Sequence, residues 1–194
     1  MDYNKFLWEC KLKADRHTSK IPQSSPVITK IQGMSTPETR HCMNNINSYG
    51  SNYLEIGSHQ GSTFVSALYG HNKKGWSIDN FSEFCTSEYA PGTDGTHKEI
   101  LLNNINTHLI CETEFYDTDS FAFDLNKIAE PVDVYMYDGD HDQDKQKLAL
   151  EYYYPVLNNI FLFIVDDWNS QSVRDGTYAG IKTMNLSILA EMPI

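Results

Sequence analysis

Two apolar runs in the second half of the chain end abruptly in acidic residues. Val132 to Tyr137 stops at Asp138-Gly139-Asp140-His141, and Ile160 to Val165 stops at Asp166-Asp167. If Asp138, Asp166 and Asp167 meet, they repel: two unit charges ~5 Å apart cost roughly 3 kcal/mol at an effective dielectric of about 20. A hard divalent cation with oxygen ligands offsets that repulsion, Mg²⁺ being the commonest choice and Ca²⁺ or Mn²⁺ the alternatives. The three acids are therefore the expected metal ligands. The competing role, a helix cap, is assigned to Asp142 and Asp144 at the start of the next helix.

The elements around them are what would bring these acids together. Both apolar runs read as buried parallel strands, and residues 142–157 have the length of a crossover helix, with Leu148 and Tyr152 one turn apart. That is a right-handed βαβ unit, so both acidic ends fall on the carboxyl rim of one sheet, where open α/β sheets hold ligands.

A second ligand signature lies upstream. Residues 51–56 alternate as a strand and lead into Glu55-Ile56-Gly57-Ser58-His59-Gln60-Gly61-Ser62-Thr63, followed by a helix with Phe64, Val65 and Leu68. Strand, glycine turn and helix open a nucleotide-binding βα unit, Gly57 admitting a ligand close to the backbone and Gly61 permitting tight helix packing. Asp79 ends the next strand 22 residues after Gly57, the place of an acid that accepts hydrogen bonds from a ribose diol. A third strand, 111–116, leads to Asp119 and Ser120 at the same rim, and Phe121, Leu125 and Ile128 mark a helix after it. Before the first strand, Met34-Ser35-Thr36-Pro37-Glu38 reads as a helix start, with Ser35 or Thr36 as cap and Pro37 at the first helical position, the helix running to about Ser48. Pro91-Gly92 and Asp94-Gly95 signal turns; 172–185 reads as a helix with Val173, Tyr178 and Ile181, and 188–194 as a final strand.

Composition bounds the rest. The 194 residues make one domain with a polar N-terminal arm, 1–32, ahead of the body, 33–194. The net charge of -11 is uneven: residues 1–40 hold seven Lys/Arg against four Asp/Glu, and residues 41–194 hold eight against 22. So acidic a body disfavours nucleic acid. The longest apolar run has six residues and the N-terminus carries no apolar signal region, so a cytoplasmic protein without a membrane span is expected. Cys10, Cys42, Cys85 and Cys111 make no CxxC pair and are expected as free thiols, and His59, His71, His97 and His108 as ordinary surface or loop residues.

Taken together, these residues resemble the class I S-adenosylmethionine-dependent methyltransferases, and within them the cation-dependent O-methyltransferases that include the catechol, caffeoyl-coenzyme A and macrolide-sugar enzymes. The resemblance covers roughly residues 33–175. It implies a Rossmann-like, doubly wound α/β fold with a mainly parallel sheet, helices on both faces and a C-terminal antiparallel hairpin. With 27 residues after Asp167, that hairpin is expected to be shortened, leaving an edge for a second subunit to cover. The resemblance further implies that S-adenosylmethionine lies against Met34, Ser35, Glu55, Gly57, Ser58, Gly61, Thr63, Asp79, Asp119, Ser120 and Asp138. It makes Asp138, Asp166 and Asp167 the metal ligands and His141 the catalytic base, in a reaction that methylates a hydroxyl of a small molecule such as a sugar or another polyol. Lys holds the base position in catechol-type members, and His141 aligns with the sugar-modifying type. The competing readings are a non-catalytic adenosyl-binding module and an NAD-dependent oxidoreductase, the latter weakened because Gly57 and Gly61 do not make GxGxxG.

Overall fold

The computed structural model describes residues 1–82 and 96–193. The turn signals at Pro91-Gly92 and Asp94-Gly95, and Cys85, lie outside the described residues.

Five strands, β1 (Asn52–Ile56), β2 (Lys74–Ile78), β3 (Thr113–Tyr116), β4 (Val132–Tyr137) and β5 (Leu157–Val165), form a sheet in the order β3-β2-β1-β4-β5. Every pairing is parallel. Seven helices are described: α1 (Tyr3–Ala14), α2 (Pro26–Thr29), α3 (Pro37–Ile46), α4 (Ser62–Leu68), α5 (His97–His108), α6 (Gln143–Tyr153) and α7 (Gln171–Thr183). The strand order reverses between β1 and β4, which opens a crevice at the carboxyl rim. None of the described helices is long and apolar enough to cross a membrane.

Because side chains alternate along a strand, the sheet has two cores. Tyr53, Val134, Met136, Leu162 and Ile164 face α1, α3, α4 and α5. Leu54, Ile56, Trp76, Ile78, Tyr135, Tyr137 and Phe163 face α6 and the loop carrying Phe123 and Ile128. On α6 the buried stripe is Gln146, Ala149, Leu150 and Tyr153, displaced by one position from the expected Leu148 and Tyr152. On α7 it is Val173, Gly176, Thr177 and Gly180. A Cβ on Gly176 would lie 2.3 Å from the Gln143 carbonyl oxygen, so the small residues let α7 lie directly on α6. Tyr178 is consequently turned outward, 41% exposed.

Several expectations are corrected. The polar N-terminal arm, for which the sequence leaves docking and partial disorder both open, is packed on the body: α1 is capped by Asp2, and Cys10, Ala14, Ile21, Val27 and Ile31 are buried in the first core. Its polar sequence reflects one face only. The helix expected around Phe121–Ile128 shrinks to a single 3-10 turn at Leu125–Lys127. Asp119 and Asp124 accept from the backbone two residues ahead, which competes with helix formation. Residues 188–193 are irregular instead of a strand, and no antiparallel strand occurs among the described residues. The run ending at Val165 is an edge strand, not a buried one; Ile160 is 44% exposed. His71 is buried, bonded to the Asn44 carbonyl, instead of lying in a surface loop. Cys10, Cys42 and Cys111 are free, and burial pushes the first two thiols up to about 11 and about 12.

Gly57 joins β1 to the rim with φ +81, and a Cβ there would meet the Asp138 carbonyl oxygen at 1.9 Å. Gly61, φ +86, would meet side-chain ends alone, Leu101 at 2.7 Å and Val65 at 3.4 Å. Gly57→Ala should therefore cost more than ~3 kcal/mol and Gly61→Ala roughly 1 kcal/mol, measured by urea unfolding. Equal costs would contradict the backbone contact.

Candidate active site

The strand ladder runs one residue past each strand. Asp79 N–H donates to the Tyr116 carbonyl, Gly57 N–H to Ile78, Asp138 N–H to Ile56 and Asp166 N–H to Tyr137, at 3.0–3.2 Å. Asp79, Gly57, Asp138 and Asp166 thus stand in one row along the carboxyl rim, as parallel strands require. Gly57 and Asp138, which follow β1 and β4, flank the point where the strand order reverses, with Asp79 and Asp166 one strand further out on either side.

At one end of the row, Asp138, His141 and Asp166 each offer a ligand atom, all within 4.8 Å of one another. His141 Nε2 is 3.8 Å from Asp138 Oδ1 and 3.8 Å from Asp167 Oδ2, too far for a hydrogen bond. That nitrogen is buried without a hydrogen-bond partner. Asp167 turns back toward it through a left-handed backbone, φ 49, a conformation that costs about 1–3 kcal/mol in a non-glycine residue and is concentrated at functional sites. Burial, followed by the charge of Asp166 and then those of Glu55 and Asp167, holds the Asp138 carboxyl well above the usual carboxylate range. A nearby cation would reverse that shift. The oxygen donors of Asp138 and Asp166, with Asp167 turned toward the same imidazole, fit a divalent ion and leave the His141 Nε2 lone pair beside them for a proton.

The glycine loop occupies the middle of the row. Glu55 is fully buried, accepting hydrogen bonds from Tyr53 and, at 2.8 Å, from Thr63 Oγ1. Ser58 is buried and takes the Ser77 hydroxyl at 2.8 Å. Gly61 begins α4. Ser35 bonds the Ser62 hydroxyl at 2.9 Å and accepts from Arg40 Nε at 3.0 Å, which ties the chain before α3 to the first residue of α4; Met34 beside it is 75% exposed. Asp79 accepts from the backbone N–H groups of His59 and Phe81, both at 2.7 Å, so its carboxylate fastens the loop to the end of β2. The His59 and His97 rings lie 4.5 Å apart beside it. The hydrogen bonds of Asp119 and Ser120 run elsewhere: Asp119 takes the Phe121 N–H, and the Ser120 carbonyl takes the Tyr153 hydroxyl at 2.6 Å.

Two supporting residues went unnoticed in the sequence. Ser172 donates to the His141 carbonyl at 3.0 Å, and Arg174 donates to the Trp168 carbonyl. Their only signal is their place in the first turn of the helix after Asp166-Asp167.

No protein-family model matches the sequence, and no curated protein matches it. Solved structures match by shape. A Staphylococcus aureus protein assigned as a caffeoyl-CoA O-methyltransferase aligns with a TM-score of 0.58 at 16% identity, over 94% of this chain and 90% of that one. CalS11, a TDP-rhamnose 3'-O-methyltransferase of calicheamicin biosynthesis, aligns at 0.54 and 12% identity over 92% and 83%. An O-methyltransferase from Bacillus cereus, in complex with SAH, aligns at 0.52 and 14% identity over 93% and 79%. At such identities the likeness is one of fold: this chain has the Rossmann-like α/β architecture of those enzymes.

Burial pushes the Glu55 carboxyl from its ordinary 4.5 up to about 7. The folded state then binds more protons than the unfolded one through that window, so stability falls as pH rises across it, by up to about 1.4 kcal/mol per pH unit. Urea midpoints taken at either end of the window should lie closer together in Glu55→Gln than in the parent. An unchanged gap would show that another group carries the dependence.

Proposed function

We propose that the chain is an S-adenosylmethionine-dependent O-methyltransferase, assisted by a divalent cation, acting on a hydroxyl of a small molecule such as a sugar or another polyol. The observation that carries this reading is the rim itself: a glycine loop, a ribose-type acid and a carboxylate cluster around an unpaired imidazole nitrogen stand in one row. That the solved structures sharing this fold include O-methyltransferases supports it.

Gly57, lacking a side chain, lets the cofactor loop pack directly on the Asp138 carbonyl, and Asp79 keeps lone pairs for ribose hydroxyls beyond the two it gives to backbone N–H groups. Glu55 and Thr63 brace the loop from beneath, with Met34, Ser35, Ser58, Asp119 and Ser120 as its assigned flanks. S-adenosylmethionine, when bound, supplies an electrophilic methyl group whose S–C bond breaks as the new O–C bond forms. Asp138, Asp166 and Asp167 would hold the cation, Mg²⁺ suiting oxygen donors best and Ca²⁺ or Mn²⁺ serving as alternatives; when bound it supplies the charge that lowers the acceptor hydroxyl's pKa. His141 takes the hydroxyl proton on Nε2, and Ser172 fixes the backbone that presents the ring. Alignment by the rigid rim supplies much of the rate, since displacement depends on holding oxygen and methyl at near-attack distance.

S-adenosylhomocysteine at 100 times its dissociation constant should stabilise the protein by about 2.7 kcal/mol, raising Tm by roughly 5–10 °C. A rise with NAD⁺ alone would sink the reading. In assays of methyl transfer from labelled cofactor to a panel of polyhydroxylated acceptors, His141→Ala should lower turnover about 10²-fold while leaving cofactor binding intact, and chelator should abolish it. Undiminished turnover in His141→Ala would remove the base from that residue.

A further inference from the structure

β5 pairs only with β4 among the described residues, so its outer edge is open. Along that edge runs a groove of about 710 Å³, within the roughly 300–1,000 Å³ usual for small-molecule sites. Asp166, Asp167 and Trp168 line it where it meets the carboxylate cluster. Beyond them it is bounded by Leu162 and Ile164 of β5, Tyr178 and Ile181 of α7, and Ile188. Thr177, 3% exposed, also lines it, and its buried hydroxyl has no hydrogen-bond partner. A polar atom in that position is satisfied by a ligand that enters the groove. Residues 157–165 carry no charge, whereas residues 41–194 hold eight Lys/Arg against 22 Asp/Glu. The lining takes an apolar body, and the surrounding field turns away an anionic one.

We propose that the methyl acceptor is an uncharged or cationic amphiphile, its hydroxyl-bearing head beside Asp138 and Asp166 and its elongated apolar body along the open edge of β5. This assignment rests on the methyltransferase reading for the role of the head and on the groove for the body. Thr177 gives the body one hydrogen bond in a channel whose lining is mainly apolar, with Asn159, Ser187 and Glu191 among its polar members. A free sugar fills only the mouth of such a site, and a phosphate-bearing thioester is repelled by it.

The test is calorimetric titration of the full chain, with S-adenosylhomocysteine and Mg²⁺ present, by n-alkyl β-D-glucosides from hexyl to nonyl below their micelle concentrations, with octanoate as the anionic match. Affinity should rise about three- to fourfold per added methylene, and octanoate should bind far more weakly. Ile181→Trp, which fills the channel, should flatten the chain-length dependence, with the Tm of the ligand-free protein as the check on folding. Thr177→Val removes the unpartnered hydroxyl and should leave that Tm unchanged or higher while weakening the glucosides severalfold. Flat chain-length dependence in the parent, with S-adenosylhomocysteine still bound, would overturn the groove's assignment alone. If sedimentation then shows a dimer, the edge belongs to a second copy of the chain. Chain-length dependence without any response to S-adenosylhomocysteine would instead overturn the methyltransferase reading and leave an amphiphile site.

Discussion

Like charges crowded at one rim are the constraint on which the rest of this structure depends. Parallel pairing sends Asp79, Asp138 and Asp166 off the same end of the sheet, and the backbone ladder fixes their spacing before any side chain is considered. Asp138 ends up among Asp166, Asp167 and the buried Glu55, and its carboxyl is held well above the usual range. The fold supports this unfavourable arrangement from below. Tyr137 and Tyr135 are fully buried beneath β4, α6 and α7 pack through Gly176 and Gly180, and Ser172 anchors the His141 backbone. Rigid elements holding strained, mutually repelling groups are what a cation or a reacting centre requires.

The glycine loop answers to the same constraint. Gly57 sits against the Asp138 carbonyl, so the segment proposed to receive the cofactor and the segment proposed to hold the cation are one packed unit. Asp79 extends that unit to β2 by gripping the backbone of His59 and Phe81. A ligand bound at either part would therefore stiffen the other.

Much of this was legible in the sequence because the signals were local. The Thr36-Pro37 start of α3, the strand-glycine-helix unit around Gly57 and Gly61, and the acidic stops after Tyr137 and Val165 each state their structure within a few residues. What the sequence hid depended on tertiary context. An uncharged strand reads as interior, yet β5 is an edge, because nothing in a period of two says whether a neighbour exists. The polar face of α1 concealed a buried stripe with only Cys10 and Ala14 to mark it. At Phe121–Ile128, Asx hydrogen bonds outcompeted a helical pattern. Ser172, Arg174 and Thr177 matter through what lies opposite them in space, on which their sequence neighbours are silent.

The most direct measurement of the central claim is Mn²⁺ binding followed by electron paramagnetic resonance, on the full chain and on Asp138→Asn. One saturable site per chain in the parent, displaced by excess Mg²⁺ and lost or greatly weakened in Asp138→Asn, is the predicted result. Absence of a saturable site, or equal uptake by both proteins, would contradict the assignment of the rim carboxylates to a cation.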